Sequence, residues 1–361
     1  MWIKNITIND CRSLKEVSLE FSSDLNIIIG SNASGKTSLL EALNILSKGR
    51  SFRTSHINEV ISDNKDSVLI SAAIVDSENN ETSQIGIEKS RSKTKIRINK
   101  QDVYTQAELS SHLPITVIHP NSVDLITGSP AIRRSYLDWI AFYIFPDFLI
   151  KWKKYQHILR QRNICLKSPK HAYALDKWTE ELVLLQPDLI KYRTEVVNLL
   201  QPIVNEITKY LLKDLDIKIK LKTGFPKDLA LDKDSLTNYY KEKREYELKV
   251  KRTTAGSHRA DFDILIDSTP AVESASRGQL KLLAICLLLA QNNSISKTSS
   301  GKGVLLIDDL AAELDSENKE LLLKYLSTLN KQLIITSTGN ISIDNFDPKV
   351  FHVKHGSFTS E

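Results

Sequence analysis

The first 120 residues are dominated by short stretches in which apolar and polar positions alternate, the period-two pattern of half-buried strands. Residues 3–8 and 17–21 carry it, and so do residues 95–98, where Lys95 and Arg97 alternate with Ile96 and Ile98. Residues 68–75 and 84–88 are apolar runs joined by the turn-rich Asp76-Ser77-Glu78-Asn79-Asn80, which predicts a hairpin. With a further short strand over 115–118, these elements predict a small antiparallel sheet. One run differs: Leu25-Asn26-Ile27-Ile28-Ile29 is almost continuously apolar, as a buried strand would be, and a helical pattern starts soon after it at Ser38-Leu39-Leu40.

From Ala131 the period lengthens. Leu175, Trp178, Leu182, Leu185, Leu189, Tyr192, Val196, Leu199 and Ile203 recur at steps of three and four, predicting a helix packed lengthwise on the one that carries Phe148, Trp152, Tyr155 and Leu159. That aromatic stripe reads as core, with base stacking as the alternative. Pro187 and Pro202 predict a kinked or segmented helical arm. An alternating strand over 217–222 and a charged run over 241–251, read as a solvated helix, close this part. Beyond it, 262–266 reads as a strand, 279–291 as an apolar helix, and Val304-Leu305-Leu306-Ile307 as a buried strand ending in Asp308-Asp309. Residues 294–303 read as a low-complexity loop, and 333–337 as another buried strand. The pattern predicts an α/β protein in three stretches: 1–125, a mainly helical arm over 126–255, and 256–361, with the outer two sharing one sheet.

The link between the first buried strand and its helix is Gly30-Ser31-Asn32-Ala33-Ser34-Gly35-Lys36-Thr37. This is G-x-x-x-x-G-K-T in the context of strand, loop and helix. Gly30 and Gly35 allow the backbone to curl around a phosphate with its N–H groups inward. Lys36 supplies a charge to the β- and γ-phosphates, Thr37 a hydroxyl to Mg²⁺, and the helix beginning there, with Ser38 next in line, its positive dipole end. Asp308 and Asp309 complete the chemistry: an acid at the end of a buried strand holds Mg²⁺ opposite Thr37, and a second orients or deprotonates the attacking water. Asp308 is assigned to the metal and Asp309, with Lys36, to catalysis. The plainer alternative is two acids that merely end a strand.

Composition excludes some classes. Apolar residues make up 41% and charged residues 26% of 361, and no stretch approaches the ~18 consecutive apolar residues of a membrane span. The N-terminal stretch lacks the shape of a signal peptide, so a cytoplasmic protein is expected. Cys11, Cys165 and Cys286 are widely separated, which argues against a disulfide frame or a zinc site. The net charge of +5 is mild, but its distribution is uneven. Between Asp147 and Asp176 there is no acid, while Lys151, Lys153, Lys154, Arg160, Arg162, Lys167 and Lys170 all fall there. Such a block is either a nucleic-acid surface or a solvated helix face.

A further constellation narrows the class. Ser274-Ala275-Ser276-Arg277-Gly278-Gln279 resembles the signature of ABC-type ATPases, and Ala311-Ala312-Glu313-Leu314-Asp315 resembles their D-loop. The resemblance implies that Ser276, Gly278 and Gln279 meet the γ-phosphate of another subunit's ATP, and hence an ATP-dependent homodimer. Five more segments then point to one family. Asp10-Cys11-Arg12-Ser13-Leu14, Gly49-Arg50-Ser51-Phe52-Arg53, the stretch from Gly128 to Asp138, Arg160-Gln161-Arg162-Asn163 and Gly256-Ser257-His258-Arg259-Ala260-Asp261 resemble segments that mark the RecF family of bacterial DNA replication and repair proteins.

That resemblance implies an ABC-type ATPase head related to those of SMC and Rad50 proteins: a mixed sheet with helices, a small antiparallel sheet, and a short inserted arm. It implies binding of ATP and Mg²⁺, binding of single-stranded, gapped or junction DNA, and work with RecO and RecR to load RecA during repair and SOS induction. Arg12 is a further candidate nucleotide contact. The basic residues of the arm and Lys93, Lys95, Arg97 and Lys100 are candidate DNA contacts. Several positions depart from the family pattern. Ala33 stands where many members have glycine, Cys11 where phenylalanine is usual, Ser257 where proline is common, and Arg277 in place of the second signature glycine. Asp309 is shorter than the glutamate of fast ABC ATPases, which predicts slow hydrolysis, and the resemblance implies a weak, DNA-dependent ATPase. Two rival readings are an ATPase subunit that energises a membrane transporter, which the arginine-rich arm disfavours, and an ATP-binding scaffold without meaningful hydrolysis.

Overall fold

A computed structural model of the chain describes residues 1–168, 173–213, 215–298, 303–309, 314–339, 341 and 347–360. In chain order, β1 (Trp2–Cys11), β2 (Leu14–Glu20) and β3 (Leu25–Ile29) lead into helix α1 (Lys36–Lys48). Next come β4 (Ser67–Val75), β5 (Thr82–Ser90), β6 (Thr94–Ile98), β7 (Gln101–Val103), α2 (Gln106–His112) and β8 (Ile115–Ile118). The short α3 (Asp124–Thr127) and α4 (Pro130–Ile144) precede the long pair α5 (Phe148–Lys167) and α6 (Leu175–Leu211). Then follow β9 (Ile217–Lys222), α7 (Lys233–Val250), β10 (Asp261–Ile266), β11 (Thr269–Pro270), α8 (Ala271–Ser274) and α9 (Arg277–Thr298). The chain ends with β12 (Val304–Ile307), α10 (Ser316–Ser327), β13 (Leu333–Ser337), β14 (Lys349–Lys354) and β15 (Ser357–Ser360).

The chain divides into two compact units. The first comprises Met1–Ser122, Lys209–Lys213 and Lys281–Glu361. It contains a six-stranded sheet in the order β2-β1-β4-β5-β6-β7, antiparallel throughout, and a second in the order β15-β14-β3-β13-β12-β8. In the second sheet β14, β3, β13, β12 and β8 run parallel. Parallel strands covered on both faces are apolar throughout, and β12, β13 and β8 are buried at every position. Helix α1 is sealed almost along its whole length, and its Leu39, Leu40, Leu43 and Leu46 are fully buried with Ile6, Ile8 and Ile70 of the antiparallel sheet in one apolar cluster. The expected hairpin is present, with Val75 opposite Thr82 and Ser67 opposite Ser90.

The second unit comprises Val123–Thr208 and Asp214–Leu280. Helices α5 and α6 pack as the periodicity predicts: Phe148 meets Tyr192 edge to face, Tyr155 reaches Gln186, and His157 meets Trp178. Helix α6 is not segmented, however, and runs for 37 residues through both Pro187 and Pro202. Each internal proline costs about 3 kcal/mol. Against this, Leu182, Val183, Leu189, Val196, Leu200, Val204 and Ile207 are all buried, and at ~1.5–3 kcal/mol for each large aliphatic side chain that burial outweighs both breaks.

Three more expectations need correction. The charged run in α7 is not wholly solvated, because Glu247 is completely buried with its carboxylate 2.6 Å from the Arg162 guanidinium. Residues 294–298 continue α9 instead of forming a loop, with the Ser294 and Ser296 hydroxyls donating to the carbonyls four residues back. The strand over 262–266 pairs with β9 and β11 in a three-stranded sheet of the second unit and not with the buried strands β12 and β13.

Candidate nucleotide site

Strand order builds this site. β13 lies between β3 and β12, so the loop leaving β3 and the acids leaving β12 flank the carboxyl end of β13. Two polar residues at that end tie the sides together. Gly30 N–H donates to the Ser337 carbonyl at 3.1 Å, and Asp309 N–H donates to Thr336 Oγ1 at 2.9 Å. Thr336 Oγ1 in turn donates to Asp308 at 2.8 Å, and Thr37 Oγ1 lies 3.0 Å from both Asp308 oxygens. The two residues assigned to opposite sides of a metal are therefore in direct contact.

Lys36 is buried and folded over the loop, its ammonium donating to the carbonyls of Gly30 at 2.7 Å and Ser31 at 3.0 Å. Ala33 lies in the left-handed region at φ 62° and Gly35 at φ 117°. The turn linking β14 and β15 closes one side, with Gly356 N–H donating to the Ser34 carbonyl at 2.8 Å. A side chain at Gly30 would meet the Ser34 hydroxyl and the Val353 carbonyl, each at 2.6 Å. Its glycine is required by the loop's own packing as well as by any phosphate.

Two buried polar atoms at the site have no hydrogen-bond partner among the described residues: Ser34 Oγ in the loop and Asp309 Oδ1 beside Asp308. An unmet buried polar atom costs ~1–3 kcal/mol. Burial pushes the Asp308 carboxyl above its ordinary range, the Thr336 and Thr37 hydroxyls oppose this, the neighbouring Asp309 charge adds to it, and Arg53 opposes it. A hydroxyl and two carboxylates with spare oxygens form a hard donor set of the kind Mg²⁺ takes alongside phosphate oxygens. The residues fit both the nucleotide and the metal that the sequence implied.

Arg12, the further candidate nucleotide contact, is already engaged within the chain. Its guanidinium makes two 2.9 Å bonds to the fully buried Glu41 of α1, which also accepts from Ser51 at 2.5 Å and Arg53 at 3.4 Å. Glu41 thus gathers two arginines behind the loop. It was missed in the sequence, although a lone acid inside Leu39-Leu40-Glu41-Ala42-Leu43 is the mark of a buried, paired carboxylate. Thr336 was missed too, and its signal is a hydroxyl ending an otherwise apolar strand.

The signature residues lie in the second unit. Ser276 caps α9: Gln279 N–H donates to the Ser276 hydroxyl at 3.2 Å, and Ser276 N–H donates to Gln279 Oε1 at 2.8 Å. This is a capping box, which gives the serine and glutamine a structural reason of their own. Ser276 and Gly278 are exposed, and a side chain at Gly278 would meet only the Ser276 hydroxyl, at 4.0 Å. Residues 311–313 of the D-loop resemblance lie outside the described residues.

A phosphate loop, a strand-end carboxylate pair and a parallel sheet joined to an antiparallel one define a P-loop ATPase head of the ABC type. The family model for the RecF/RecN/SMC N-terminal domain matches residues 2–357. The chain is 34% identical over the full length of both chains to DNA replication and repair protein RecF of Psychromonas ingrahamii, and 32% identical to that of Aliivibrio fischeri over 99% of each. A solved structure of the recombination mediator RecF with ATP, described as part of the RecFOR pathway, superposes with a TM-score of 0.89 at 27% identity. It covers 100% of this chain and 97% of that one. An SMC head bound to the C-terminal winged-helix domain of ScpA shares the fold, with a TM-score of 0.59 at 16% identity over 100% of this chain and 97% of that one. The chain belongs to the RecF/RecN/SMC family and, within it, to the RecF proteins of DNA replication and repair. No described helix is long and apolar enough to cross a membrane.

Proposed function

We propose that this protein is an ATP-dependent dimerisation switch that binds single-stranded or gapped DNA and acts with RecO and RecR in loading RecA, with a part in SOS induction. The observation that carries the switch is the pair of buried, unpartnered oxygens, on Ser34 and Asp309, on either side of the Thr37–Asp308 contact. The loop residues from Gly30 to Thr37, with Ser38, bind the triphosphate through backbone N–H groups and the Lys36 charge. Thr37 and Asp308 are the protein ligands for Mg²⁺, which when bound neutralises charge on the β- and γ-phosphates. Asp309 orients or deprotonates the attacking water, and its short side chain makes hydrolysis slow. A single-turnover rate below the ~10 s⁻¹ of a median enzyme is expected.

Ser276, Gly278 and Gln279 act on the nucleotide of a second copy, an assignment supported by the exposure of Ser276 and Gly278 at the start of α9. Residues 1–125 and 256–361 are read as the ATPase head and 126–255 as its arm, with 256–280 packed in the second unit. Sedimentation with and without ATP and Mg²⁺ tests the switch in wild type and in the Lys36→Ala, Ser276→Arg and Asp309→Asn variants. The expected result is an ATP-driven monomer-to-dimer shift, lost in the first two variants and prolonged in the third. A protein that binds ATP and stays monomeric in every case overturns the shared-site role and favours an ATP-binding scaffold.

A further inference from the structure

We infer that the outward face of α5 is a track for the backbone of single-stranded DNA, an inference that rests on the DNA-binding reading above and locates it. The acid-free block of the sequence held seven cations, and the fold disposes of most of them. Lys151 is bonded to Asp147 at 2.7 Å, Asp188 at 2.8 Å and Tyr192 at 2.9 Å. Lys154 pairs with Glu181 at 3.1 Å, and Arg162 is buried against Glu247. Lys170 lies outside the described residues. The cations left are Lys153, Arg160 and Lys167, each exposed and each seven residues from the next. Seven residues are two helical turns, so the three stand in a row on one face, ~10.5 Å apart and ~21 Å from end to end.

What lies between them decides the occupant. On the same stripe His157 and Ile164, 41% exposed, lie between the cations, and Ile150, 71% exposed, lies one turn before Lys153. A merely solvated helix face usually mixes charges of both signs, as α7 does. This one carries a single sign and bare isoleucines, and beside Arg160 and Lys167 it is furrowed by a shallow groove that Gln156 and Asn163 also line. Three cations with no ion-pair partner among the described residues attract a polyanion. In a duplex the bases are shielded, whereas an unpaired strand turns base faces outward that can cover Ile150 and Ile164 while its phosphates meet the cations. The β6 candidates are less free, since Lys95 already pairs with Glu88 at 3.4 Å and Arg97 with Asp102 at 2.8 Å.

Fluorescence anisotropy of an oligothymidine with the full chain, at saturating ATP and at 50 to 200 mM salt, tests this. The variant replaces Lys153, Arg160 and Lys167 by glutamine, all at exposed positions, and its ATP binding is measured in parallel as the control for folding. Three lost phosphate contacts reduce the slope of log K against log salt by about 2, so wild type loses about 20-fold more affinity than the variant over that range. Ile150→Ser with Ile164→Ser weakens oligothymidine binding at an unchanged slope and leaves duplex binding as it was. A triple variant with the wild-type slope overturns the track, as does a slope that falls instead with Lys95→Gln and Arg97→Gln; in both cases the DNA-binding reading stands. If wild type itself binds no oligothymidine while its ATP-driven dimer forms, the DNA-binding reading falls along with the track.

Discussion

The phosphate loop and the interior of the helical unit are both crowded with polar side chains, yet only one of them is saturated. Around Arg162 nearly every donor has found an acceptor. Its guanidinium bonds to Thr179 at 2.9 Å, Thr253 at 2.8 Å and Glu247 at 2.6 Å, and lies 4.7 Å from the Tyr240 ring. The other Glu247 oxygen accepts from Thr254 N–H at 2.7 Å, while Gln186 bridges Ser257 and Tyr240. At the loop, by contrast, Ser34 Oγ and Asp309 Oδ1 are buried and unmet. A saturated network fixes a structure, whereas an unmet one leaves binding capacity for a ligand that brings its own donors and charge. Polar burial alone does not distinguish a site from a scaffold; the state of its hydrogen bonds does.

The largest expected effect tests that distinction directly. Arg162→Met leaves the buried Glu247 charge without its cation, which costs roughly 3–5 kcal/mol of stability, and adding Glu247→Leu recovers most of it. Lys36→Ala is expected to leave stability almost unchanged and to weaken ATP binding roughly 30-fold or more, as loss of a charged phosphate contact does. Denaturant unfolding and nucleotide titration of the same preparations measure both. An Arg162→Met protein as stable as wild type would end the claim that this network is structural.

The next effect depends on pH. Burial pushes His258 down to about 4, the largest influence on it; its Nδ1 lies 2.8 Å from the Tyr155 hydroxyl and its Nε2 lies 3.2 Å from the Thr253 carbonyl. A base whose folded value is depressed is protonated first in the unfolded chain, so stability is full above about 6.5 and falls as pH drops toward 4. The whole loss is about 3 kcal/mol at ~1.36 kcal/mol per pH unit. His258→Gln flattens the dependence in that window. An equally steep loss in the variant would assign the acid sensitivity to other groups.

Much of the site was legible in the sequence because it is local. The spacing from Gly30 to Thr37 and the apolar run ending at Asp308 each announce their chemistry within a dozen residues. What was not legible depends on contacts between distant segments. Glu41 stands out as a lone acid in an apolar run, but its partners Arg12, Ser51 and Arg53 come from segments the local pattern does not connect to it. Thr336 gains its role only because β13 is inserted between β3 and β12. The prolines of α6 do not segment it for the same reason: propensity is local, and the burial that overrides it is not. Glu247, hidden in a run that reads as solvated, pairs with a residue 85 positions away.

Smaller effects sharpen the comparison within the signature and the loop. Ser276→Ala removes one side of the capping box, which costs about 1 kcal/mol of stability. If Ser276 also touches a second copy's phosphate, Ser276→Asp separates the roles, because aspartate caps a helix as well as serine does but repels a phosphate. The expected outcome is wild-type stability with no ATP-driven dimer; a dimer that forms normally would confine Ser276 to capping.

The smallest effect concerns Ala33, held at φ 62° where a side chain is strained by ~1–2 kcal/mol. Glycine removes that strain but frees the unfolded chain, a cost of ~0.4–1 kcal/mol, so Ala33→Gly gains only about 0.5 kcal/mol in thermal unfolding. The strained residue sits within a loop that already holds the unmet Ser34 hydroxyl, so both costs fall where a phosphate would bind. Stored strain of this kind makes a second prediction. Relief by glycine lets the free loop relax, and ATP, which selects the curled form, binds Ala33→Gly no more tightly than wild type despite the added stability. A variant that gained stability and ATP affinity together would mean that Ala33 simply distorts the loop.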